Sequence, residues 1–167
     1  MKTIKIVLGI ALASTVISCN TNNEVRPKQL NQIIGTYEGT ITSSLSQIGV
    51  AATAEITSIN DYNIRVHCYS VKLDTTLSLG LYPDGNMMRV CFTGTDFMNQ
   101  YGHNMSTGSQ MMGNMANGTS WQQHMSAEHK PGDLHYGYFD MNAKTFNYIF
   151  NITGTPNSYS QHFMGMR

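Results

Sequence analysis

Asn63-Ile64-Arg65-Val66-His67-Cys68-Tyr69 alternates apolar and polar side chains, the period of two that puts every second residue of a strand on one face. Outward from it, segments 33–45, 50–59, 62–71, 76–82 and 87–93 keep that period and are rich in Ile, Val, Thr and Tyr, residues that suit a pleated surface. Asn60-Asp61 and Pro83-Asp84-Gly85-Asn86 punctuate them with turn chemistry. Five short antiparallel strands are therefore expected. Two more, Leu134 to Met141 and Lys144 to Ile152, flank a short turn around Asn142-Ala143 and predict a terminal hairpin. The expected fold class is mainly β: a small antiparallel meander, closed as a barrel or stacked as a sandwich, with a Met/His-rich loop and one short helix.

The N-terminus has a different logic. Lys2 and Lys5 precede an apolar run from Ile6 to Ile17, followed by Val16-Ile17-Ser18-Cys19, the layout of an export signal too short to span a bilayer comfortably. The VISC tetrapeptide resembles the lipobox of bacterial lipoproteins, which implies cleavage after residue 18, lipidation of Cys19 and anchoring at a membrane of the bacterial cell envelope; an uncleaved signal anchor is the alternative. Residues 19–32 then form a polar lipidated tether, and 33–167 one β-barrel-like domain with a Met/His-rich insertion over 97–130. The 149 residues left after the signal suffice for one domain and are few for two. Lys2 and Lys5 leave with the signal, so ten basic residues become eight against ten acidic, a net of −2 that indicates no nucleic-acid partner.

With Cys19 lipidated, Cys68 and Cys91 are the remaining thiols. An even pair in an oxidising compartment reads as a disulfide; a Cu(I)-thiolate pair is the other reading.

Gly35-Thr36-Tyr37-Glu38-Gly39-Thr40 resembles the Gly-x-Trp/Tyr start of the first strand in lipocalin and calycin-like barrels. Over residues 33–93 that resemblance implies an up-and-down barrel, and no particular ligand.

Eleven of the twelve methionines lie at or after position 87, among five of the six histidines. Met98, His103, Met105, Met111, Met112, Met115, His124, Met125 and His129 are interleaved with Gly, Asn, Ser and Gln, a setting too polar for the usual gap-filling role of methionine. Thioether and imidazole are neutral ligands suited to copper(I), and to silver(I) by similarity. Residues 97–118 show no sustained period and read as a long loop. Thr119 or Ser120 could cap a helix from Trp121 to Lys130, ended by Pro131-Gly132, with Trp121, Met125 and His129 on one face. Glu128 falls near His124 and could orient its ring from the second coordination layer. At the C-terminus His162-x-Met164-x-Met166 would put one imidazole and two thioethers on one side if extended.

Trp121 beside these residues allows a cation-π cap. The set resembles the small periplasmic copper chaperones of copper/silver efflux systems, whose site combines one His, two Met and a capping Trp; by ligand type His124 or His129, Met125 and Trp121 would correspond. The family's Met-x-Met appears here only as Met164-x-Met166. Zinc is the competitor, through His124, His129, His135, Glu128, Asp133 and Asp140, but it would leave the methionines unexplained. His124 and His129, five apart, diverge by about 140° on a regular helix, so a metalloprotease-like pairing is not expected, and no Gly-x-Ser-x-Gly elbow or phosphate loop occurs.

The sequence thus leads to a non-enzymatic, lipid-anchored copper(I)-binding protein that buffers the ion or passes it to metal-efflux proteins. Two rivals stand beside it: a barrel whose mouth holds a small apolar ligand under a methionine lid, and a structural or partner-docking lipoprotein.

Overall fold

The computed structural model describes residues 27–92, 121–129, 135–152 and 158–167. A short helix, α1 (Pro27–Ile33), leads into β1 (Gly35–Ser43), β2 (Ser46–Asn60), β3 (Asn63–Ser70), β4 (Asp74–Asp84) and β5 (Met87–Phe92); a second helix, α2 (Trp121–Glu128), precedes β6 (Tyr136–Asp140), β7 (Thr145–Ile152) and β8 (Tyr159–Met166). Each strand pairs antiparallel with the next, and β8 returns to β1, so the sheet closes. The fold is an eight-stranded up-and-down barrel. Closure leaves no unpaired sheet edge, and it decides between barrel and sandwich.

The period of two is realised in every wall. Ile64, Val66 and Cys68 of β3 turn inward, as do Leu79 and Leu81 of β4, Met88, Val90 and Phe92 of β5, and Phe146, Tyr148 and Phe150 of β7. Glu38, Glu55 and Arg65 face out, so this wall is polar and its lumen apolar, the reverse of a membrane-spanning barrel. The lumen is filled by its own rings. Phe139 and Phe146 stack at 4.3 Å, Tyr37 meets them at 5.5 and 5.9 Å, and Phe163 meets Phe146 at 5.7 Å. Such ring pairs add about 0.5–1.5 kcal/mol beyond the area they bury.

Two features depart from the expected layout. The first is α1, inside the stretch read as tether: Leu30 and Ile33 are buried in the core cluster, and Ile33 O accepts from Tyr37 Oη at 3.0 Å. The C-terminal Arg167 fastens the same end, donating to Ile34 O and, at 3.0 Å, to Gln32 O, with its guanidinium 5.9 Å from the Tyr37 ring centre. Burial pushes the Tyr37 phenol up to about 12 against the lowering pull of Arg167.

The second is β8, the strand that closes the barrel. Its Gln161, Phe163 and Gly165 face inward, and Gly165 lies opposite Gly39 of β1. A Cβ on Gly165 would meet the Phe163 ring at 2.5 Å, so glycine is required by close approach. The expected turn at Pro83-Asp84-Gly85-Asn86 is present, with Gly85 at φ 61°, the left-handed region open to glycine.

The expected Cys68–Cys91 disulfide is not formed; both cysteines are free and buried. Cys68 shares the inward phase of Ile64 and Val66, whereas Cys91 shares the outward phase of Arg89. They lie on opposite faces of the wall, with β4 between: Cys68 registers with Thr75 and Cys91 with Gly80. No disulfide spans that arrangement, since bridged Cα atoms must come within about 7 Å on converging side-chain vectors.

Candidate metal centre

On the outer wall, β4, β5 and β6 set two rows of side chains across neighbouring strands. Tyr82, Arg89 and Tyr138 form one row; Gly80, Cys91 and Tyr136 form the other. Outward residues of a barrel are ordinarily wet, yet Tyr82 is 6 % exposed and Cys91 0 %. Helix α2 covers them. Tyr82 stacks on His124 at 4.3 Å with 23° between the rings, and Trp121 lies edge-on to Tyr82 at 5.7 Å and to Tyr136 at 5.9 Å. Arg89 sits 6.0 Å from the Trp121 ring centre and 5.4 Å from that of Tyr138, with Nε donating to Asp84 Oδ2 at 3.0 Å.

Under this cover the donors converge. Ligand atoms of Cys91, His129 and His135 all lie within 4.8 Å of one another. Cys91 Sγ is 3.3 Å from His129 Nε2, which is 3.1 Å from His124 Nε2. The His129 and His135 rings stack at 4.6 Å. For comparison, sulfur and nitrogen atoms bound to one tetrahedral ion at about 2.0–2.3 Å stand roughly 3.3–3.7 Å apart. His135 is 1 % exposed, and its carbonyl is held twice: by Phe92 N at 3.1 Å and by Tyr148 Oη at 3.0 Å. Those bonds fix the start of β6, and so where the imidazole leaves the chain.

His124 and His129 meet because α2 stops early. The expected helix runs to Lys130, and on it their side chains diverge; the observed helix ends at Glu128, so His129 lies past the last turn and folds back toward His124. The bar against a shared ion rested on regular helical geometry and falls with it.

Other expected ligands are placed differently. Met125 is half-buried on α2. His162, Met164 and Met166 do line one face of an extended strand, on the outside of β8 with Met164 54 % and Met166 60 % exposed. Strand β7 separates them from β6, so they are not in the Cys91 cluster. Cys19, His103, Met105, Met111, Met112 and Met115 lie outside the described residues, as does the side chain of Glu128. Cys91 and His135 are the candidate ligands least visible in the sequence, where Cys91 reads first as a disulfide partner, with a Cu(I)-thiolate pair as the other reading, and His135 as a zinc donor. The signal for Cys91 lay in its phase, opposite to that of Met88, Val90 and Phe92.

The two thiols also differ chemically. In the apolar lumen, burial pushes Cys68 up to about 12, which makes it a poor ligand because metals bind the thiolate. The chain matches no family model, no curated protein and no solved structure.

Proposed function

We propose that this protein binds copper(I), and silver(I) by similarity, as a lipid-anchored protein of the bacterial cell envelope that buffers the ion or passes it to efflux proteins. The observation that carries the proposal is the convergence of Cys91, His129 and His135 within 4.8 Å on the outer wall of the barrel. One thiolate and two imidazoles form a soft-to-borderline donor set. The sequence adds further soft donors at His103-x-Met105, Met111, Met112, Met115 and Met125, and the outer face of β8 carries a separate set at His162, Met164 and Met166. Cys19 carries the lipid. The ring-filled lumen weighs against the rival in which the barrel holds an apolar ligand, because Phe139, Phe146, Phe163 and Tyr37 occupy the space themselves.

Zinc(II) is the second reading, favoured by the imidazole content of the cluster. An anaerobic titration of the purified chain with Cu(I), against a chromophoric Cu(I) chelator and with Zn(II) in parallel, separates them. Trp121, the sole tryptophan, lies 6.3 Å from the His129 ring, so its emission reports filling of this centre. Tight Cu(I) uptake with weak Zn(II) binding, both lost in Cys91→Ser, is the expected result. Tight Zn(II) with weak Cu(I) would transfer the centre to zinc, and indifference of both to Cys91→Ser would sink it.

A further inference from the structure

Three residues make the minimal cluster, and a fourth stands against it. His124 is 0 % exposed on a helix whose Gln122 and Ser126 are exposed. Its ring plane is fixed by Tyr82, stacked at 4.3 Å, and its Nε2 lies 3.1 Å from the same His129 nitrogen that faces Cys91 Sγ at 3.3 Å. Two imidazole nitrogens this close share either a proton or an ion. Their separation is near the roughly 3.3 Å expected for two nitrogens on one tetrahedral ion.

The helix that carries His124 needs an anchor. At eight residues, α2 is shorter than the roughly 12–15 needed for a helix to persist alone in water. Among the described residues, none of α2 belongs to the hydrophobic core cluster; Trp121 and His124 meet Tyr82, Arg89 and Tyr136 of the barrel.

We infer that His124 is the fourth ligand of the centre, and that the bound ion fastens α2 to the barrel. Cys91 on β5 and His135 at the start of β6 come from the wall; His124 and His129 come from the helix and the residue after it. The ion thus crosslinks two parts of the chain, and its binding energy includes the docking of α2. Loading and release of the ion shift α2 between a fastened and a loosened population. This inference rests on the metal-binding reading above, but not on the choice between copper(I) and zinc(II).

The test uses the purified chain with Cu(I) and Zn(II) as separate probes, reading affinity and amide hydrogen exchange over residues 121–129. In the unaltered chain, loading is expected to slow exchange across α2. In His124→Ala the affinity should fall at least about tenfold, the scale set by losing even an outer-layer partner of a metal ligand, and the slowing should disappear. Gln122→Ala, on the same helix and exposed, should change neither. A direct readout needs no variant: the ring ¹⁵N signals of His124, His129 and His135 should move together on Zn(II) loading. If those of His129 and His135 move and that of His124 does not, or if His124→Ala binds and protects like the parent, His124 is not a ligand while the metal reading survives. If the parent chain takes up neither ion, both proposals fall together.

Discussion

Cys68 and Cys91 are the same residue, equally buried at 0 % exposure, on strands of one sheet, and they do opposite work. Cys68 faces the lumen, registered beside Ala54 and Thr75, where it is a small apolar filler. Cys91 faces the outside of the wall, 3.3 Å from an imidazole, where it is a candidate ligand. Burial alone does not separate the two roles; strand phase does. In this barrel the lumen holds the packed core and the outer wall under α2 holds the candidate site, and the two can be perturbed separately.

The largest effect belongs to the lumen. Phe146 is fully buried, stacked on Phe139 and in contact with Tyr37, Tyr148 and Phe163. Phe146→Ala should cost about 3–5 kcal/mol, read as a large fall in the denaturation midpoint. The same truncation at Trp121, outside the core cluster, should leave barrel stability nearly unchanged and alter metal binding instead. Equal losses of stability at both positions would erase the division between lumen and wall.

Next in size is the cysteine contrast. Cys91→Ala should weaken Cu(I) binding by more than about 100-fold, roughly 2.8 kcal/mol at 1.4 kcal/mol per decade. Cys68→Ala should leave affinity within error and lower stability by loss of packing alone. A chelator competition on both variants decides the matter; loss of binding in Cys68→Ala would place the soft donor inside the barrel.

The two thiols also separate with pH. Burial raises the Cys68 thiol from 9.0 to about 12, so the folded state holds its proton more tightly than the unfolded chain. That contribution is present in full below about 9 and is lost progressively as pH rises toward about 12. Cys68→Val should therefore flatten the alkaline fall of stability over that window. On the wall the pH effect runs the other way: protons compete with an ion for imidazole nitrogen, so metal binding should weaken as pH falls. Affinity that stays flat from pH 8 to 5 would exclude histidine ligands.

How much of this was legible beforehand follows from where each signal lives. The walls were readable because alternation is local: Ile64, Val66 and Cys68 declare their face without reference to the rest of the fold. Strand β8 was hidden because Gln161, His162, Met164 and Gly165 carry little strand preference; it is a strand because β1 and β7 pair with it on both sides. Helix α1 was hidden by its polar composition, Leu30 and Ile33 being its two core residues. The methionines and histidines point to the second half of the chain, where His124 and His129 read as candidate ligands. His135 joins them only in the zinc reading and Cys91 in neither, because the candidate site depends on α2 folding over β4, β5 and β6, a long-range contact that no local period encodes.

The smallest prediction tests how sharply the wall divides structure from binding. Arg89 is one third exposed, pairs with the half-exposed Asp84 at 3.0 Å, and lies over Trp121 and Tyr138. Solvent screens such a pair, so its worth is within about 1 kcal/mol, and each cation-π contact adds about 0.5–1 kcal/mol at an exposed site. Arg89→Met keeps the apolar stem over the rings and removes the charge, so barrel stability should fall by about 1–3 kcal/mol at most. The guanidinium is also a fixed positive charge beside a centre proposed to hold a cation. Its removal should raise metal affinity about two- to threefold at low ionic strength, the gain fading as salt shortens the reach of charge to roughly 8–10 Å. An affinity that falls in Arg89→Met would mean that Arg89 acts mainly through Trp121, holding the cover in place, and would move this residue from the structural to the binding side of the wall.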